Sequence, residues 1–152
     1  MSIPRTDFFQ RISKYCAEAE KCTQDVKAKL ISWEIHPDEA DIIIEKLQKE
    51  NFLNDQRYTK AYVSEKWNLD HWGRVKIENN LRQKNISDRL ISEALQSIDE
   101  EEYKIYLEDL LRNKLREVRS DNFMDDARRV HMYAVSKGFE EEMVREWLED
   151  QT

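Results

Sequence analysis

The chain has 152 residues, 38% of them charged and 39% hydrophobic, with only 2 glycines and 2 prolines. Its 32 acidic against 25 basic residues give a net charge of −7, which disfavours tight sequence-independent nucleic-acid binding, a process that needs cations to neutralise phosphates. Gly73 and Gly138 are too far apart for the two glycines, five apart and followed by Lys, of a phosphate-binding loop and too few for a dinucleotide fingerprint, and no run approaches the roughly 18 apolar residues of a membrane span.

Met1, Ser2, Ile3, Pro4 and Arg5 open no apolar run of the signal-peptide kind, so a cytoplasmic chain away from membranes is expected. A first helix is expected over roughly Phe8 to Ala19. Cys16 and Cys22 sit at that helix and its exit, far from the three histidines, a spacing that fits neither a disulfide nor a zinc site. Val26, Leu30 and Ile35 then begin a pattern that returns about fifty residues later as Ile77, Leu81 and Ile86, and again as Val130, Ala134 and Phe139. The companion helix carries Ile43 and Leu47, then Ile91 and Leu95, then Val144 and Leu148, four apart each time.

Turn chemistry repeats with the apolar pattern. Asn85 and Gly138, residue types that readily take the left-handed conformation ending a helix, hold corresponding positions, and Glu34 holds the third. Pro37 suits the first turn of the next helix, Ser87 reads as an N-cap, and Asp99 with Glu102 as a capping pair. A leading helix precedes each pair: Phe8 to Ala19, Asp55 to Lys66 with Tyr58, Ala61 and Tyr62 facing the core, and Glu100 to Val118. The expected fold is all-α, with three tandem three-helix repeats over 1–54, 55–97 and 98–152. Units this small bury too little surface alone, so they should share apolar contacts in an elongated row.

Charge divides unevenly over these thirds. Residues 1–54 carry 8 basic against 10 acidic side chains, residues 55–97 carry 8 against 6, and residues 98–152 carry 9 against 16. The middle third alone is net basic, and Arg57 and Lys60 lie three apart there on one helix. His71 and Trp72 precede Gly73 in a loop, where Trp72 reads as a packing anchor. Nothing isolates a perturbed acid and base pair, so the chain is expected to be non-catalytic and to need no cofactor or metal.

Two stretches resemble the RecX family: Phe52, Leu53, Asn54, Asp55, Gln56, Arg57, Tyr58, then Trp72, Gly73, Arg74, Val75, Lys76, Ile77 with Leu81, Arg82, Lys84 and Ile86. The family pattern places Asp where Asn54 stands and Gly where Asn85 stands, and Asn serves as cap and as left-handed turn residue respectively. The likeness runs over about residues 8 to 118. It implies a curved, modular regulator that lodges on the RecA recombinase filament on single-stranded DNA and blocks its growth. Recombination and co-protease activity would fall, modulating DNA repair and the SOS response. It also marks Arg74, Lys76, Arg82 and Lys84, beside Arg57 and Lys60, as partner-binding residues of an expected monomer, although 100° per residue scatters the four around their helix. A direct nucleic-acid-binding helical module is the alternative, with weak DNA contact expected in any case. A helical scaffold for another protein partner is the third reading.

Overall fold

The computed structural model describes residues 5–151, with side chains from Asp7 onward; the stretch Met1 to Pro4, read above for a leader, lies outside the described residues. Among the described residues there are nine helices and no strand: α1 (Arg5–Glu18), α2 (Thr23–Ser32), α3 (Pro37–Lys49), α4 (Asp55–Asn68), α5 (Arg74–Gln83), α6 (Asp88–Leu95), α7 (Glu100–Val118), α8 (Phe123–Ser136) and α9 (Glu141–Glu149). None is long and apolar enough to cross a membrane.

The recurring pattern of the sequence is a recurring helix ending. Glu34, Asn85 and Gly138 follow α2, α5 and α8 with φ of 64°, 59° and 96°. The next residue turns back in each case. Ile35 N–H donates to Leu30 O at 3.3 Å, Ile86 N–H to Leu81 O at 3.2 Å, and Phe139 N–H to Ala134 O at 3.2 Å, which satisfies carbonyls that a helix end leaves open. Ile35, Ile86 and Phe139 are all buried, so each turn drives an apolar side chain into a core.

Helix starts are capped as their residue types dictate. His36 accepts from Asp38 N–H, and Pro37 opens α3. Asn54 Oδ1 accepts from Arg57 N–H at 3.0 Å, Ser87 Oγ from Leu90 N–H at 3.3 Å and Asp99 Oδ1 from Glu102 N–H at 2.9 Å. Each such cap is worth about 1 kcal/mol over alanine.

The chain divides into two compact units, one running to Tyr62 and taking in Leu81–Ile91, the other holding Val63–Asn80 and the chain from Ser92 on. Ile12, Cys16, Val26, Leu30, Ile35, Ala40, Ile44, Leu47 and Leu53 form the core of the first. Leu47 is buried as expected, but Ala40 and Ile44 complete the inward face of α3 while Ile43 only packs against that core. Both cysteines are free and buried, and burial pushes the Cys22 thiol up to about 11.

In the second unit Trp67, Tyr103, Tyr106 and Phe139 pack ring against ring, with centroids 5.1 Å apart for Trp67–Tyr103 and 5.3 Å for Tyr103–Phe139. Such offset and edge contacts add to the area the rings bury.

The leading helix of the middle segment corrects the sequence reading. Thr59, Val63 and Trp67 are its buried residues; Ala61 is exposed, and Tyr58 and Tyr62 are half-buried. Thr59 can turn inward because its hydroxyl donates to Asp55 O at 2.6 Å, which leaves no polar group unsatisfied.

Candidate partner-binding surface

The six cations singled out in the middle segment fall on both units, Arg57, Lys60, Arg82 and Lys84 in the first and Arg74 and Lys76 in the second. They meet very different surroundings.

Arg57 is turned back onto its own chain. Its Nε donates to Glu20 at 2.5 Å, Nη1 to Asn51 Oδ1 at 3.3 Å, and Nη2 to the carbonyls of Asn51 and Phe52 at 3.2 and 3.4 Å. Asn51 itself has φ of 65°. The guanidinium therefore closes the turn after α3 and ties it to the end of α1. Lys60, one turn along α4, is exposed and has no ion pair among the described residues.

Arg82 donates from Nε to Asp88 at 3.1 Å with both side chains largely in solvent, a pair of the kind that contributes little. Lys84 Nζ lies 2.7 Å from Asp25 Oδ1. That contact raises the Lys84 ammonium pKa against the smaller effect of its burial. On Asp25 burial alone would raise the carboxyl, but hydrogen bonds from Lys84 and Cys22 prevail and hold it below the usual carboxylate range. Close by, Asp55 Oδ1 accepts from Thr23 N–H at 2.8 Å and so caps α2 from a distant part of the chain.

Arg74 is more enclosed than Arg57, Arg82 and Lys84. Its Nε donates to Glu140 at 2.9 Å and its Nη1 to Glu100 at 2.5 Å, while the guanidinium lies 3.9 Å over the Tyr103 ring. Tyr103 accepts from the Arg74 N–H at 3.1 Å and donates to Glu140. Burial, then the hydrogen bond to Glu140, pushes the Tyr103 phenol well above its ordinary value. All five donors of a guanidinium suit such a fork, and lysine would not replace it. Lys76 extends over Trp72, its Nζ 4.1 Å from the ring centroid, and Lys66 approaches the same ring at 4.6 Å. Trp72 is half-buried, and His71 stacks on Tyr106 at 4.4 Å.

Arg57, Arg74 and Lys84 are engaged by carboxylates far away in sequence, Asp25 standing 59 positions from Lys84. Glu20, Glu100 and Glu140 are 37, 26 and 66 positions from their arginines, and no helical spacing signals such pairs.

The family model described as "RecX, second three-helix domain" matches residues 54–95. A "Regulatory protein RecX" of Clostridium beijerinckii is 31% identical over 126 residues, 81% of this chain and 58% of that protein. Its counterpart in Clostridium acetobutylicum is 26% identical over 144 residues, 92% of this chain and 66% of that protein. The chain thus spans about three fifths of the length of these curated relatives. The crystal structure of RecX from Lactobacillus salivarius superposes with a TM-score of 0.83 at 22% identity, over 95% of this chain and 94% of that one. A second crystal structure, of a regulatory protein RecX, superposes with a TM-score of 0.84 at 24% identity, over 95% and 71% of the two chains. Both likenesses are of fold.

Proposed function

Because this chain belongs to the RecX family, we propose that it is a regulatory protein that binds RecA filaments on single-stranded DNA and inhibits their extension, and with it recombination and co-protease activity. One observation carries the reading: residues 54–95, which match the family's second three-helix domain, are also the segment that is net basic in an otherwise acidic chain. A filament of protein and phosphate backbone offers an anionic partner for such a segment.

In this reading residues 1–54, 55–97 and 98–152 act as three tandem repeats of a cytoplasmic monomer that works by binding, without a catalytic step. The partner-binding set is Arg57, Lys60, Arg74, Lys76, Arg82 and Lys84, with unequal roles. Lys60 presents its charge outward, Arg82 lies largely in solvent beside Asp88, Lys84 is half-buried against Asp25, and Lys76 lies beside Trp72. Arg57 and Arg74 hold the helices that carry the others. The test is the single-stranded-DNA-dependent ATPase of RecA, titrated with this protein. It should fall at less than one copy per RecA, since a blocked end halts many subunits. An ATPase unchanged at excess protein removes the reading and leaves a scaffold for another partner.

A weak direct contact with DNA is favoured by the Trp72 ring, which both Lys66 and Lys76 approach, since aromatic and cationic groups together suit an unpaired base and its phosphate. Binding of bare single-stranded DNA should then be weak and fall steeply between about 50 and 200 mM salt.

A further inference from the structure

The acidic last third carries a groove that neither the cations of the middle segment nor the filament reading uses. It runs between α7 and α9 and encloses about 150 Å³. Lys104, Leu107, Glu108 and Leu111 line it from α7, and Met143, Glu146, Trp147 and Asp150 from α9. Both sets recur at the same three- and four-residue steps, so each helix turns one continuous stripe toward the groove.

The chemistry of the lining is divided. Leu107 is buried, and Met143 and Trp147 are half-buried, which makes an apolar floor. Glu108, Glu146 and Asp150 stand on the rim against the single cation Lys104. None of the three carboxylates holds an ion pair or a side-chain hydrogen bond among the described residues, whereas Glu20, Glu100 and Glu140 are all engaged by arginines.

We propose that this groove is a docking site for an arginine-bearing segment of a partner protein. The volume is below the roughly 300–1,000 Å³ of small-molecule sites and suits one long side chain. An arginine is apolar along its stem and cationic at its head, so the stem lies on Leu107 and Met143 while the head reaches the rim carboxylates. The indole of Trp147 adds a face on which a guanidinium stacks. An anionic or wholly apolar segment would leave three carboxylates uncompensated at the rim. Arginine and tryptophan are also the residue types on which interface affinity tends to concentrate.

The experiment uses the full chain and two synthetic hexapeptides, one with two arginines among alanines and leucines, the other with citrulline, uncharged and of the same shape, at both positions. Binding is followed by the indole N–H resonance of Trp147, assigned through Trp147→Phe. The arginine peptide should shift it saturably, and the citrulline peptide should bind roughly tenfold more weakly, the scale of a lost charge-assisted hydrogen bond. Glu146→Gln with Asp150→Asn should weaken the arginine peptide to a similar degree. Glu141→Gln with Glu142→Gln, which removes the same charge from α9 outside the groove, should leave it unchanged. Equal binding of the two peptides, equal effects of the two charge removals, or an unmoved Trp147 resonance overturns the proposal.

Discussion

Gly73 and Gly138, the two glycines of the chain, lie backbone against backbone. Gly73 N–H donates to Lys137 O at 2.8 Å, and Val75 N–H to Gly138 O at 2.9 Å, so the start of α5 is stitched to the turn after α8. A Cβ on Gly73 would lie 2.1 Å from the Gly138 carbonyl carbon, and one on Gly138 would lie 2.4 Å from Lys76 Cβ. Either contact forces the two backbones apart.

Gly73→Ala should therefore cost about 3 kcal/mol, the upper range for overpacking, and Gly138→Ala at least as much, since φ of 96° strains any Cβ. Because both break the same contact, the double variant should lose less than the sum of the singles. Urea unfolding of the three variants checks this, and fully additive losses would contradict it.

Arg74 should behave as a structural residue. Its side chain is 21% exposed and that of Glu140 28%, so Arg74→Met strands a mostly enclosed carboxylate and removes the cation over Tyr103. A loss of about 2–3 kcal/mol is expected, somewhat below that for a fully buried pair. Arg82→Met, which breaks the largely solvent-exposed pair with Asp88, should change stability by less than about 1 kcal/mol. Thermal or urea melts of both decide, and a reversed order would sink the assignment.

Much of the fold can be read in the residues themselves. The positive φ of Asn85 and Gly138 was signalled by residue type, and the caps at Ser87 and Asp99 by their position before an apolar stripe. Glu34 adopts the same left-handed turn without any such signal, because burial of Ile35 and the bond from Ile35 N–H to Leu30 O dictate it. Thr59 hid the core face of α4 for a similar reason, a polar residue made inward-facing by its bond to Asp55 O. The surface cations were least legible. Whether Arg57 or Arg74 reaches outward depends on glutamates brought near only by folding, and a single sequence records neither distance.

The Lys84–Asp25 pair should show in the pH dependence of stability. The Asp25 pKa is lowered in the folded chain, so its contribution is present above the unfolded carboxylate value, about 3.9, and is lost as pH falls through the depressed folded value. The Lys84 pKa is raised, so its contribution is present below about 10.4 and is lost as pH rises through the raised folded value. The Lys84 side chain is 41% exposed, and screening keeps the pair to no more than about 1 kcal/mol. The stability gap between the parent chain and Lys84→Met should be flat from about pH 5 to 9 and close at both extremes. A gap that widens in acid would show the sign to be wrong.

The placement of the filament contact on the middle segment can be tested without disturbing the fold, provided that the right cations are reversed. Arg57→Glu is a poor probe: it sets a carboxylate against Glu20 and opens the turn at Asn51, so lost inhibition could be lost stability. Lys60 and Arg82 serve better. Lys60 is exposed and Arg82 is 53% exposed in its pair with Asp88, so Lys60→Glu with Arg82→Glu should cost only about 0.5 kcal/mol at each site. If the middle segment meets the filament, two reversed charges at the interface add repulsion to lost attraction, and the protein needed to halve the RecA ATPase should rise by about tenfold or more. Lys137→Glu with Arg145→Glu makes the same change of charge in the acidic third and should shift that midpoint far less. Both pairs must first be shown to melt near the parent. Equal inhibition by the two folded double variants would remove the contact from the middle segment, and a greater loss from Lys137 and Arg145 would move it to the last third.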